Sequence, residues 1–71
     1  MKRFYLKIYF EIIPKKGILK RLRKQLVTVN RIIKADRAIE ARIEAESYFN
    51  LILIPKYHKY NSKLIHVKFL N

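Results

Sequence analysis

Near the start of the chain five large apolar residues alternate with a different set. Phe4, Leu6, Ile8, Phe10 and Ile12 stand against Tyr5, Lys7, Tyr9 and Glu11. A strict period of two fits a half-buried strand and little else, because only an extended backbone sends successive side chains to opposite sides. The aromatic and β-branched content agrees. The strand is read over residues 4–13 and ends at Pro14, which has no N–H to give to a ladder. A strand with one apolar face must be paired along its edges and covered on that face. The rest of the chain has to supply both.

From Lys15 the period changes. Leu19, Leu22, Leu26, Val29 and Ile33 recur at steps of 3 and 4, and residues 15–34 are read as an amphipathic helix. The stripe fails at Asp36. A second one begins with Ile39 and Ile43, backed by Ala38, Ala41 and Ala45, so a second helix is expected over about 36–48, with Asp36 as N-cap. The two could equally be one bent helix. A competing reading makes Leu26–Ile33 a strand, since Val27-Thr28-Val29 and Ile32-Ile33 are β-branched. No turn residue separates that stretch from the preceding segment, which favours the helix. Phe49–Ile54 then reads as a short strand closed by Pro55, Lys56–Lys63 as a polar loop, and Leu64–Leu70 as a strand with Ile65, Val67 and Phe69 opposite His66 and Lys68. The expected fold is α+β: one domain over residues 1–71, ordered β-α-α-β-β, a three-stranded antiparallel sheet with helices on one face.

Size limits what this fold can do alone. A chain of 71 residues buries only about 60% of the surface it exposes when unfolded. It has no cysteine, which excludes disulfides and cysteine-bearing zinc sites, and two histidines cannot hold a structural zinc unaided. A homodimer or larger assembly is therefore expected. Disorder does not fit a chain that is 51% hydrophobic with one glycine. No apolar run reaches 18 residues, so no integral membrane segment is expected. Met1-Lys2-Arg3 has the charge of a secretory n-region, but Lys7 and Glu11 interrupt the apolar stretch after it, and a cytoplasmic location is expected.

The charge balance points to a partner. Seventeen Lys and Arg face five Asp and Glu, a net charge of +12. A Lys- and Ile-rich chain is what an AT-rich genome encodes for any protein, yet acidic codons are equally open to such a genome. The imbalance is also local. Residues 12–35 hold Lys15, Lys16, Lys20, Arg21, Arg23, Lys24, Arg31 and Lys34 with no acid, whereas 36–46 hold Asp36, Glu40, Glu44 and Glu46 against Arg37 and Arg42.

Two nucleic-acid-binding surfaces are expected. On the predicted helix Lys16, Lys20, Arg23, Lys24, Arg31 and Lys34 form a ridge opposite the apolar stripe, able to follow phosphates and release their counterions. On the outward side of the sheet Tyr5, Lys7 and Tyr9, joined by His66 and Lys68, interleave aromatics with bases, as surfaces that stack single-stranded bases do. The same side is expected to carry Ile52, Ile54, Leu64 and Leu70, which would suit a protein partner instead. RNA or DNA, held mainly through phosphates, is the expected partner of a non-enzymatic protein, ribosomal or viral in type. A small interaction or inhibitor protein is the alternative.

A third possibility is catalysis. His58, His66, Tyr57 and Tyr60 could supply acid–base groups. The strand, two-helix, hairpin order together with high basicity resembles the RelE-like ribonuclease toxins, which would imply RNA cleavage. No Gly-rich phosphate loop, HExxH or Ser/His/Asp spacing is present, and no cofactor, metal or catalytic residue is assigned. A basic amphipathic helix also suits anionic lipid, but a helix with a sheet to pack against is better placed in the fold.

Overall fold

The computed structural model describes residues 1–15 and 24–71. Three antiparallel strands and one helical rod make up these residues. Strand β1 is Lys2–Pro14, β2 is Gln25–Ala35 and β3 is Tyr60–Phe69. Between β2 and β3 the rod runs as α1 (Ala38–Tyr48), a π-helical turn (Phe49–Leu53) and a last short turn, α2 (Ile54–Lys56). The order is β-β-α-β, and in space β2-β1-β3, with β1 central. The α+β class and the three-stranded antiparallel sheet covered on one face are as the sequence predicts; the element order differs in two places.

The first difference is Gln25–Ala35, which is strand and not the second half of a helix. It pairs with β1 over eleven residues, from Lys2 opposite Ala35 to Ile12 opposite Gln25. Val27, Val29, Ile33 and Ala35 line its inner side at a period of two. The 3–4 stripe through Leu26, Val29 and Ile33 coincides with that set at only two positions, and Leu26 is largely exposed. A long apolar β1 leaves two rows of backbone groups to pair, and β-branched residues fit that role better than a helix of like charges. The part of the predicted helix over 16–23 lies outside the described residues.

The second difference is Phe49–Ile54, which continues the helix. Short apolar runs do not reveal their period, and here the buried residues Ala41, Ala45, Phe49 and Leu53 step by four along one line. A step of four drifts around an α-helix of 3.6 residues per turn, and the wider π turn returns Leu53 to the sheet. That turn also precedes Pro55, whose ring would press on the carbonyl four residues back in a regular helix. The alanines are buried while Ile39 and Ile43 point to solvent, because small residues let the helix approach the large side chains of β1. The N-cap is Arg37, not Asp36; the Arg37 N–H donates to Glu40 Oε1 at 3.1 Å, and Glu40 brings negative charge to the first turn.

With the helix extended, β3 pairs with β1 and forms no hairpin. Its ladder runs from Leu6 opposite Phe69 to Pro14 opposite Tyr60. Between His66 and Leu64, which face Tyr9 and Phe10, Ile65 is the extra residue of a β-bulge. The bulge resets the alternation. Leu64, predicted on the outer side, packs against the core, and Ile65, predicted inward, is half exposed. The core is β1: Leu6, Ile8 and Phe10 are fully buried. Phe10 meets Phe49 at 5.3 Å and Tyr57 at 5.5 Å edge-on, and Tyr57 meets Tyr60 at 6.2 Å, closing one end with an aromatic cluster. Phe4 against Phe69 at 5.9 Å closes the other.

Candidate nucleic-acid interface

The helix covers one face of the sheet, and no described element lies over the other. That open face is set by parity. Apolar even-numbered residues of β1 point to the helix, so Arg3, Tyr5, Lys7, Tyr9 and Glu11 point away. Directly opposed residues of antiparallel strands share a face. Hence Lys34, Ile32, Asn30, Thr28 and Leu26 of β2 join them, in that order, on one flank. Lys68, His66 and Lys63 join Lys7, Tyr9 and Glu11 on the other.

Two cation pairs result. Arg3 is opposite Lys34, and Lys7 is opposite Lys68. Opposed side chains have Cβ atoms about 5 Å apart, where like charges destabilise the sheet. The one acid on this face, Glu11, is opposite Lys63 at the far end. Between and beside the cation pairs lie the aromatics. Tyr5 is exposed; Tyr9 and His66 are neighbours at 6.1 Å, tilted by 32°, and the Lys7 ammonium lies 5.8 Å from the Tyr9 ring centre. Tyr5, Tyr9 and His66 thus share the face with Arg3, Lys7, Lys34 and Lys68.

The other end of the strip is held by a side-chain extension of the ladder. Leu70 N–H donates to Tyr5 O at 2.7 Å, and the Asn71 side chain continues the pattern: Tyr5 N–H donates to Asn71 Oδ1 at 3.1 Å, and Asn71 Nδ2 donates to Arg3 O at 3.0 Å. The amide takes the place of one more peptide and fixes the backbone that carries Arg3 and Tyr5.

Of the predicted site residues, Tyr5, Lys7, Tyr9 and Lys68 come together on this face as expected, and Lys34 joins them from β2. Arg31 does not. It lies on the helix side of β2, with its guanidinium 4.1 Å from the centre of the Tyr48 ring. Lys24 is exposed just before β2. A ridge of bases along a helix therefore does not exist over residues 24–34, while Lys16, Lys20 and Arg23 lie outside the described residues. Arg3 precedes the strand read over 4–13 and so escapes the sequence reading; it continues the odd-numbered series. Of the aliphatic residues expected on this side, Ile52 and Ile54 belong to the helical rod and Leu64 to the core; Leu70 alone stands beside Tyr5.

The catalytic candidates are dispersed. Tyr57 and Tyr60 are half-buried in the aromatic cluster, His58 lies in the exposed turn between helix and β3, and His66 is on the open face. The β-β-α-β order removes the strand, two-helix, hairpin arrangement on which the likeness to RelE-like toxins rested. Among the described residues no three His, Cys, Asp or Glu groups converge to hold a metal, and no helix is long and apolar enough to cross a membrane.

No known protein family, no curated protein and no solved structure matches this chain. What the fold itself defines is a small α+β domain: one helix on one side of a three-stranded antiparallel sheet, with no described element on the other side.

Proposed function

We propose that the open face binds single-stranded nucleic acid, with Tyr5, Tyr9 and His66 stacking bases and Arg3, Lys7, Lys34 and Lys68 holding phosphates. The observation that carries this is the two pairs of directly opposed cations, Arg3 with Lys34 and Lys7 with Lys68, on a face that also presents aromatic rings. Like charges in register weaken the free sheet, and a polyanion laid across them turns that repulsion into attraction. A plain solvated face would interleave the signs. The helix side of this chain does so, with Glu40, Glu44 and Glu46 beside Arg37 and Arg42, and Arg42 Nε lies 3.9 Å from Glu46. A single strand is favoured over a duplex, because only unpaired bases expose faces to the rings. The role is binding without catalysis, and no cofactor enters it.

Fluorescence anisotropy with labelled single-stranded RNA, single-stranded DNA and duplex DNA at several salt concentrations tests the reading. Four phosphate contacts on a single strand should give a slope of log K against log salt near −2.8, at about 0.7 per contact. Absence of binding at low salt, or equal affinity for duplex and single strand, would count against it.

A second reading has its own observation. Ile39 and Ile43 stand more than half exposed on the outer side of the helix, where a protein partner could cover them. Replacement of both by Gln should then abolish capture of that partner and leave nucleic-acid affinity unchanged.

A further inference from the structure

The two edges of the sheet differ. β3 is interrupted by the bulge at Ile65 and carries Lys63, His66 and Lys68, devices that discourage pairing with another strand. β2 has no bulge along its eleven paired residues, no proline, and five β-branched residues: Val27, Thr28, Val29, Ile32 and Ile33. We infer that β2 pairs antiparallel with β2 of a second copy, centred on Asn30, and joins two sheets into one of six strands.

The backbone is oriented for it. Tyr5 turns both its N–H and its C=O toward the β3 side, and Lys15 N–H likewise reaches Lys59 O at 3.1 Å. Odd residues of β1 therefore bond to β3 and even ones to β2. The partners of even β1 residues are the odd residues of β2. By the same alternation Leu26, Thr28, Asn30, Ile32 and Lys34 direct their backbone groups outward, to the edge that no described strand pairs with.

Symmetry then selects the register. A two-fold axis that keeps each face continuous pairs residues of equal parity, and complete overlap of 25–35 places the axis at Asn30. Thr28 then faces Ile32 of the second copy, Leu26 faces Lys34, and Arg31 faces Val29. No like charges are directly opposed. Just beyond the strand, Lys24 comes opposite Asp36. A shift of two residues in one direction would oppose Lys24 with Lys34, and in the other would place Arg31 on its own symmetry mate.

The side chains agree. A groove between the rod and β2 is lined by Arg31, Ile33, Tyr48, Leu51 and Ile52, close to the proposed axis. Leu51 is 73% exposed and Ile52 50%. With the axis normal to the sheet, both rods lie on the same side and these residues face their symmetry mates. Both open faces also lie on one side, doubling the cationic surface; that last consequence rests on the proposed function, whereas the pairing does not.

Cysteine cross-linking of the whole chain tests the register, because the native sequence has no cysteine. Under mild oxidation Asn30→Cys should give a covalent dimer as the main species, since residues opposed across such a pair have Cα atoms about 5.5 Å apart, within disulfide reach. Thr28→Cys and Ile32→Cys should not, because four residues along the strand separate each from its mate by about 13 Å. Sedimentation of the unmodified chain should show a dimer that tightens as salt rises, since its net positive charge opposes association. Thr28→Pro, which removes an outward N–H and spares the β1 ladder, should weaken it about tenfold or more. Lys24→Asp should weaken the dimer, and adding Asp36→Lys should restore it. A monomer at high concentration and high salt overturns the proposal. So does a dimer in which Asn30→Cys cross-links no better than Thr28→Cys. Nucleic-acid binding by a monomer would leave the proposed function standing while removing this inference.

Discussion

The two faces of β1 come from the same thirteen residues and obey opposite rules. The even side is buried, apolar and closed by rings edge-on at both ends. The odd side is open and brings cations into register. On the first, every contact lowers the free energy of folding. On the second, Arg3 against Lys34 and Lys7 against Lys68 raise it. A small domain tolerates such a face only because the other side supplies the stability. Function, on this view, is located where the sequence works against its own fold.

Substitutions can break that contrast from either side. The largest effect is expected from Phe10→Ala, which removes the ring that meets Phe49 and Tyr57. A loss of about 3–5 kcal/mol is expected, enough to unfold much of a marginal domain in chemical denaturation monitored by circular dichroism. Reversing both members of the central cation pair, Lys7→Glu with Lys68→Glu, should leave the fold intact. It should also flatten the salt slope on a single strand by at least about 1.4, the share of two contacts. Tyr9→Ala should weaken single-strand binding by about 1–3 kcal/mol with little change in that slope, because stacking releases no counterions. The smallest effect is the most discriminating. Lys7→Gln should stabilise the free protein by a few tenths of a kcal/mol, about the size of a cross-strand repulsion, while binding weakens. If Lys7→Gln destabilised the fold and left binding unchanged, the open face would be an ordinary solvated surface.

Much of this arrangement can be read before folding is considered. The alternation over Phe4–Ile12 assigns each β1 residue to its face, and the placement of Tyr5, Lys7, Tyr9 and Lys68 follows from parity alone. The helix over Ala38–Tyr48 is legible from its alanine and isoleucine spacing, although the buried stripe is the alanines. Three features are not legible. Residues 25–35 fit a helical stripe as well as a strand, the local pattern favours the helix, and the need of β1 for a second neighbour overrides it. Phe49–Ile54 is too short to show a period, and it joins the helix because Phe49 and Leu53 continue the line from Ala41 and Ala45 over Phe10. The bulge at Ile65 has no signature in composition, yet it moves Leu64 inward.

Local alternation, charge and the absence of cysteine, then, are sufficient to specify a one-helix-face, one-open-face α+β domain with a strongly basic surface. Side-chain period is a property of neighbouring residues, so it survives without a tertiary context. Which cations stand directly opposite one another is a different kind of fact. Lys34 meets Arg3, Lys68 meets Lys7 and Arg31 turns away to Tyr48 only because β2 and β3 take particular registers against β1. Those registers are set by burial of Ile33, Val29 and Val67 against residues far away in the chain. A shift of one residue would exchange every inner and outer side chain, and no local pattern records which alternative the packed core selects.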